Sequence, residues 1–181
     1  MRTQIEGSFR HKILAHILNS AGIERFNSFQ FDMVRLGIGH YGMSAVANNV
    51  LEEVCTLKTK ILQIRKVSAS DTVGYSRKGV LKRDSIIGAI PIGYADGLNR
   101  KLGNYNGKVL VNDHFAPFVG NICMDVCMID LTDVPQVKEG DDVVIFGKGN
   151  SIQDVAQLLE TIPYEVLAGI SKRVKRVYFK E

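Results

Sequence analysis

A tyrosine set between Gly74 and Ser76, in the stretch S-A-S-D-T-V-G-Y-S-R-K-G (68–79), is the residue of this chain best placed to move a proton. Turn-forming residues open the stretch, and Arg77 and Lys78 follow the phenol closely. A free phenol keeps its proton to about pH 10, so a tyrosine working near neutrality needs positive charge or hydrogen bonds around it. The plain alternative for Tyr75 is an aromatic at the edge of a hairpin. A second stretch carries different chemistry. An apolar, strand-like piece near Met33 to Ile38 runs into glycines at 37, 39 and 42. Small residues and exposed N–H groups after a strand are a common way for α/β proteins to hold a phosphate.

Composition bounds what can position these residues. At 181 residues, 45% hydrophobic and 23% charged, the chain suits one large domain, or one complete domain and part of another. The net charge is +4, with a basic cluster near the end (Lys172, Arg173, Lys175, Arg176, Lys180). A solvated face explains that cluster better than a nucleic-acid partner. Three cysteines (Cys55, Cys123, Cys127) are an odd number without metal-ligand spacing, so no metal is expected. Cys123 and Cys127 lie in an apolar run and should be buried hydrophobes in a reducing cytoplasm. No signal peptide or membrane-spanning run is visible, and a soluble cytoplasmic protein without a membrane partner follows.

The elements are then as follows. Ile13, Leu14, Ile17 and Leu18 recur at helical spacing, although so short a run also suits a buried strand. From Leu51 the periodicity shortens towards two. Strands are expected at Cys55 to Val67, Asp84 to Ile92, Lys108 to Val111, Phe115 to Val119, Cys123 to Asp130 and Asp142 to Phe146, with a last one in R-V-K-R-V-Y-F. Turns belong at Asn106-Gly107, Asn112-Asp113 and Gly140-Asp141. Ser151 with Asp154 marks a helix start, and Pro163 another. Short strands at this density make a mainly β fold, a barrel or a sandwich, with a domain boundary near Asn48 to Glu52.

Four stretches, in their order and spacing, resemble the C-terminal part of bacterial alanine racemase, a pyridoxal-phosphate enzyme. They are H-I-L-N-S-A-G (16–22), R-L-G-I-G-H-Y-G (35–42), D-T-V-G-Y (71–75) with I-P-I-G-Y-A-D-G (90–97), and G-N-I-C-M-D (120–125). The resemblance implies that residues 1–48 are the last segments of a cofactor-binding (β/α)8 barrel and 49–181 the C-terminal β-barrel domain. An incomplete barrel would leave apolar surface around Leu36 and Ile38 uncovered, and self-association is expected.

The same resemblance assigns roles. Tyr75 is the catalytic acid–base on one face of the substrate, reaching the cofactor of the other subunit in a homodimer with a shared active site. Ser20, with the main chain at Gly37 and Ile38, binds the cofactor phosphate; Arg35 faces the pyridine nitrogen, and His16 supports it. A guanidinium only donates hydrogen bonds, so it would keep that nitrogen unprotonated and the ring a restrained electron sink. Tyr94 and Arg100 line the substrate channel, Met124 meets the substrate carboxylate, and Asp125 supports it. The implied reaction interconverts L- and D-alanine for peptidoglycan synthesis, and some bacteria carry such a racemase fused behind a Mur-type ligase.

The chain departs from the family pattern in three places. The lysine that anchors the cofactor belongs to a stretch absent here, so this chain alone is expected to be inactive. Lys172 stands where the family often has a tyrosine, and Asn121 where some members carry an arginine. Two other readings stay open: a racemase of another amino acid, such as serine, lysine or a broad set, and a non-catalytic binding or assembly β domain.

Overall fold

The computed structural model describes residues 4–5, 7–46 and 51–179. They belong to two compact units, Met1–Cys55 and Thr56–Glu181. The boundary expected at Asn48 to Glu52 falls largely outside the described residues.

In the first unit, helix α1 (Ser20–Arg25) starts at Asn19, whose side-chain oxygen accepts the Gly22 N–H at 3.0 Å. Such a cap satisfies one of the donors a helix start leaves unpaired. The segments on either side of α1 run parallel. His16 bridges Met33, Asp32 donates its N–H to the Ala15 carbonyl, and Arg35 donates to Leu18. Parallel pairing needs a crossover, and α1 supplies it. The helical spacing at Ile13–Leu18 therefore does not make a helix, because its backbone is committed to residues 32–35. Leu14 and Ile17 stay exposed while Leu18 is buried. A 3-10 turn at Ile38–Tyr41 follows, ended by Gly42 at φ 77°. Ile38 is buried and Leu36 exposed, so of the apolar pair expected to be uncovered only Leu36 is.

The second unit is mainly β. Its strands are β1 (Leu57–Lys60), β2 (Gln63–Val67), β3 (Thr72–Val73), β4 (Gly79–Val80), β5 (Ser85–Ile90), β6 (Lys108–Val111), β7 (His114–Val119), β8 (Cys127–Asp130) and β9 (Asp142–Phe146). Seven pair antiparallel in the order β1-β9-β6-β7-β8-β5-β2, and β3 with β4 forms a separate ribbon. β1 and β2 occupy opposite edges, yet only Ile61 and Leu62 separate them. The sheet meets both conditions by curling until its edges come together. Ile61 donates to the Asp141 carbonyl on one side and Leu62 to Ala89 on the other. The single strand expected at Cys55 to Val67 is thus two, broken where the chain changes edge.

Alternate residues point inward. Val109, Val111, Ala116, Phe118, Cys127, Ile129, Val143 and Ile145 are each no more than 2% exposed. Burying an aliphatic or phenyl side chain of this size stabilises by about 1.5–3 kcal/mol. Asn112 and Asp113 both take positive φ, 47° and 62°, the backbone of a two-residue hairpin between β6 and β7. Helix α2 (Ile152–Leu158) adds Ile152, Val155 and Ala156 to the buried set, and Ser151 caps it by accepting the Asp154 N–H. Helix α3 (Pro163–Ala168) follows.

Two further expectations need correcting. The run Cys123 to Asp130 begins as a turn, closed by Cys123 N–H donating to Val126, and becomes strand only at Cys127. R-V-K-R-V-Y-F is not strand. Arg176 folds back to donate to the carbonyls of Ile170, Ser171 and Val174, which rounds the chain into a loop, and Tyr178 and Phe179 are about 90% exposed.

Candidate functional site

The second unit holds a cleft of about 920 Å³. Its walls bring together Tyr75, Tyr94, Arg100, Met124 and Asp125, which the sequence scatters over fifty positions, with Asn121 beside them. Cys123 also lines it; that thiol is half-buried, unlike the fully buried Cys127. Burial, then the neighbouring Cys123 and Asp96, push the Cys127 thiol well above its ordinary value.

Tyr75 is carried by the turn joining β3 to β4. The turn begins at Gly74 (φ 76°, ψ −176°), a conformation that is essentially glycine's alone. Ser76 and Arg77 also have positive φ, 58° and 54°. The ribbon that holds so tight a turn is anchored at its base. Val73 packs with Leu81, Ile87 and Val119, and Met128 lies against this cluster. Gly79 lies so close that a Cβ there would stand 2.5 Å from the Val73 carbonyl oxygen and 3.1 Å from the Gly120 nitrogen. The outcome is a phenol 75% exposed at the cleft rather than packed on the sheet. Arg77, two residues on, turns to donate from Nε to Thr72 Oγ1 at 3.2 Å.

Tyr94 and Met124 sit on two turns that clasp each other. Tyr94 N–H donates to the Cys123 carbonyl and Ala95 N–H to Met124, both at 3.0 Å. Gly93 makes the approach possible, because a Cβ there would collide with the Cys123 and Met124 carbonyl oxygens. Asp96 closes the first turn by accepting the Gly93 N–H at 2.9 Å. Arg100 follows on a 3-10 turn, Arg100–Leu102, capped by Asn99. Asn121 accepts from the Asn104 amide at 3.1 Å, which fixes its orientation at the cleft wall.

Beside these turns lies an ion network that sequence reasoning missed. Arg173 donates from Nε to Asp96 Oδ1 at 2.7 Å and from Nη2 to Asp125 Oδ1 at 2.6 Å. Burial acts to raise the Asp96 carboxyl, but the Arg173 hydrogen bond, the Gly93 N–H and the Arg173 charge outweigh it and hold the group below the ordinary carboxylate range. The two carboxylates in turn hold Arg173 more firmly protonated. The only sequence signal was the basic R-V-K-R stretch, which does not say where its first arginine folds.

The remaining sequence candidates lie in the first unit. Ser20 is buried, and its Oγ accepts the Gly37 N–H at 2.9 Å and the Gly39 N–H at 3.3 Å. A hydroxyl and the main chain of a glycine turn are the donor set a phosphate needs. Ile38 is buried next to them. Arg35 is exposed and donates from Nη2 to the Ile17 carbonyl at 3.1 Å, while the exposed His16 pairs with Met33. Among the described residues no cluster of histidine, cysteine and carboxylates could hold a metal ion, and no helix is long and apolar enough to cross a membrane.

A family model described as alanine racemase, C-terminal domain, matches residues 54–178. Alanine racemase 1 of Clostridium acetobutylicum is 44% identical over 176 residues, covering 92% of this chain and 45% of that protein. Alanine racemase of Clostridium difficile 630 superposes with a TM-score of 0.89 at 35% identity, over 99% of this chain and 48% of that one. Alanine racemase from Bartonella henselae, solved with covalently bound pyridoxal phosphate, gives 0.86 at 34% identity, over 98% and 50%. The chain therefore spans about half the length of the relatives it matches.

Proposed function

The chain belongs to the alanine racemase C-terminal domain family, and on that premise we propose that it acts as part of a pyridoxal-phosphate-dependent racemase that interconverts L- and D-alanine. The observation that carries this is the convergence of Tyr75, Tyr94, Arg100, Met124 and Asp125 on one cleft. The setting is the cytoplasm, and D-alanine for peptidoglycan is the product's use.

Pyridoxal phosphate, when bound, supplies an electron-withdrawing ring that stabilises negative charge at the substrate Cα. Ser20 and the main chain of Gly37 and Ile38 would hold its phosphate, with the Ser20 hydroxyl proton donated to it and the Gly37 N–H, which here donates to Ser20 Oγ, exchanging that partner for a phosphate oxygen. Arg35, supported by His16, would face its ring nitrogen and keep it unprotonated, since a guanidinium can only donate. Racemisation needs proton exchange on both faces of Cα. Tyr75 holds the proton on one face, at its phenol oxygen, and its exposure suits a residue that reaches the cofactor of a second subunit in a homodimer. Tyr94 and Arg100 form the wall past which an amino-acid carboxylate enters, and Met124, backed by Asp125, positions it. The lysine that would anchor the cofactor is supplied from outside this chain's motifs.

The test joins this chain to the half of the Clostridium acetobutylicum enzyme that it does not match, supplies pyridoxal phosphate and L-alanine, and follows D-alanine by chiral chromatography. Cofactor-dependent D-alanine is expected, and Tyr75→Phe should lower kcat by a factor of about 10²–10⁴. A folded, cofactor-loaded chimera that racemises serine or lysine instead, or nothing, overturns the assignment.

A further inference from the structure

Residues 93–97 and 123–126 are short turns joined main chain to main chain, Tyr94 to Cys123 and Ala95 to Met124, and they carry Tyr94, Met124 and Asp125 at the cleft. We infer that Arg173 is a positioning residue for that cleft, clamping the two turns to each other through Asp96 and Asp125. The inference on substrate binding rests on the racemase reading; the clamp itself does not.

Three observations carry it. First, one guanidinium spans both turns, with Nε on Asp96 Oδ1 and Nη2 on Asp125 Oδ1, at 2.7 and 2.6 Å. A planar fork of fixed donors holds two acceptors at a set separation, which a single ammonium cannot do. Second, the carboxylate at one end is itself fixed. The Asp96 side chain is only 13% exposed and its other oxygen accepts the Gly93 N–H. Third, Arg173 is held by the loop it sits on, because Ser171 N–H donates to the Asp96 carbonyl and Arg176 ties down the carbonyls of Ile170, Ser171 and Val174. The clamp has an electrostatic consequence. The charged residues lining the cleft are Arg100 and Asp125. With Asp125 paired to Arg173, Arg100 is left as the cation that an incoming carboxylate meets, so the site is set for an anionic group.

The first test uses this chain alone, with ¹³C-methyl methionine and no cofactor or substrate. In R173M and in D125N the Met124 methyl signal should shift and sharpen towards a freely rotating value, while Met128, on β8, should stay in place. The second uses the active chimera. R173M should raise KM for alanine about tenfold, the scale of a lost charged hydrogen bond, with kcat within about threefold. R173K should fall between R173M and the parent. Because both residues serve one clamp, R173M/D125N should be no worse than R173M alone. A residue that only stabilised the fold would lower the unfolding temperature without this KM split or this coupling. Should R173M not fold, D125N and R173K, which keep the Asp96 partner, carry the same comparison. KM within twofold in R173M, additive effects in the double variant, or an unmoved Met124 methyl would each overturn the clamp. An inactive parent chimera would instead strike the racemase reading, leaving the methyl signals to decide the clamp.

Discussion

The three thiols differ because their surroundings do, and that difference can be measured. Cys127 is fully buried on β8, and burial, reinforced by nearby negative charge, raises its thiol far above the usual range. Cys123, four residues earlier, lies on the turn that lines the cleft and is half-buried; Cys55 is half-buried as well. The thiolate is the reactive form, so burial and suppressed ionisation both protect Cys127. Burial, then the Glu53 charge, also raises the Cys55 thiol, so titration of the native chain with a chromogenic disulfide at pH 7.5 is expected to modify Cys123 first, Cys55 more slowly and Cys127 only after unfolding. Three thiols reacting at one rate would mean that β8 is not packed as described. The sign of the pH effect follows. A thiol whose folded-state value is raised contributes stability that is present below the unfolded value near 8.5 and lost as pH rises beyond it. Replacing Cys127 with alanine should therefore flatten the alkaline loss of stability while costing packing throughout.

At the level of elements, a two-residue ribbon is a poor stand-alone structure, and glycine contact is what makes this one a platform for Tyr75. Gly79 and Gly120 allow backbone to lie on backbone, and the cluster around Val73 closes the apolar side. Gly79→Ala puts a Cβ against main-chain atoms that cannot rotate away. It is expected to destabilise by about 1–3 kcal/mol and to shift the turn that carries Tyr75, lowering kcat in the chimera more than it raises KM. The check is a urea titration paired with steady-state kinetics; an unchanged kcat would show that the ribbon does not aim the phenol. These contacts also mark how far the sequence could be read. Alternation of inward residues made β6, β7 and β9 visible, and turn pairs such as Asn112-Asp113 set their ends. β3 and β4 were hidden because two residues have no periodicity. The turn at 121–126 was hidden inside an apolar run, since its shape is set by contact with residues 93–95 rather than by its own residue types. The C-terminal segment has strand composition, but its arginines satisfy carbonyls of the same loop, which propensity cannot foresee.

On the scale of the whole molecule, the charges that matter are few and mostly carboxylates. Cleft residues from distant parts of the chain were recoverable as a set only through their resemblance to a family; Asp96 and Arg173 were not, because an ion pair 77 positions apart leaves no local pattern. That pair and two further carboxylates should govern the acid limit of the fold. Asp96 is held below its ordinary value despite the opposing effect of burial. Asp141 is held down by the Lys138 N–H and the Asn112 side chain, and Asp142 by Lys60 and Lys58. Each folded-state value is depressed, so each contributes stability that is in force above the unfolded value near 3.9 and fades as pH falls through the lower folded one. Asp141 and Asp142 are solvent-facing, and salt will screen most of their share. Asp96, nearly enclosed, should resist salt. The urea midpoint followed by circular dichroism should therefore be level from pH 7 to about 5, then drop below about 4. In Asp96→Asn the midpoint should be lower at neutral pH and the drop shallower, in 0.5 M salt as in 0.05 M. A variant that loses as much between pH 6 and pH 3 as the parent would place the acid sensitivity elsewhere and leave the Asp96–Arg173 pair without a share in holding the second unit together.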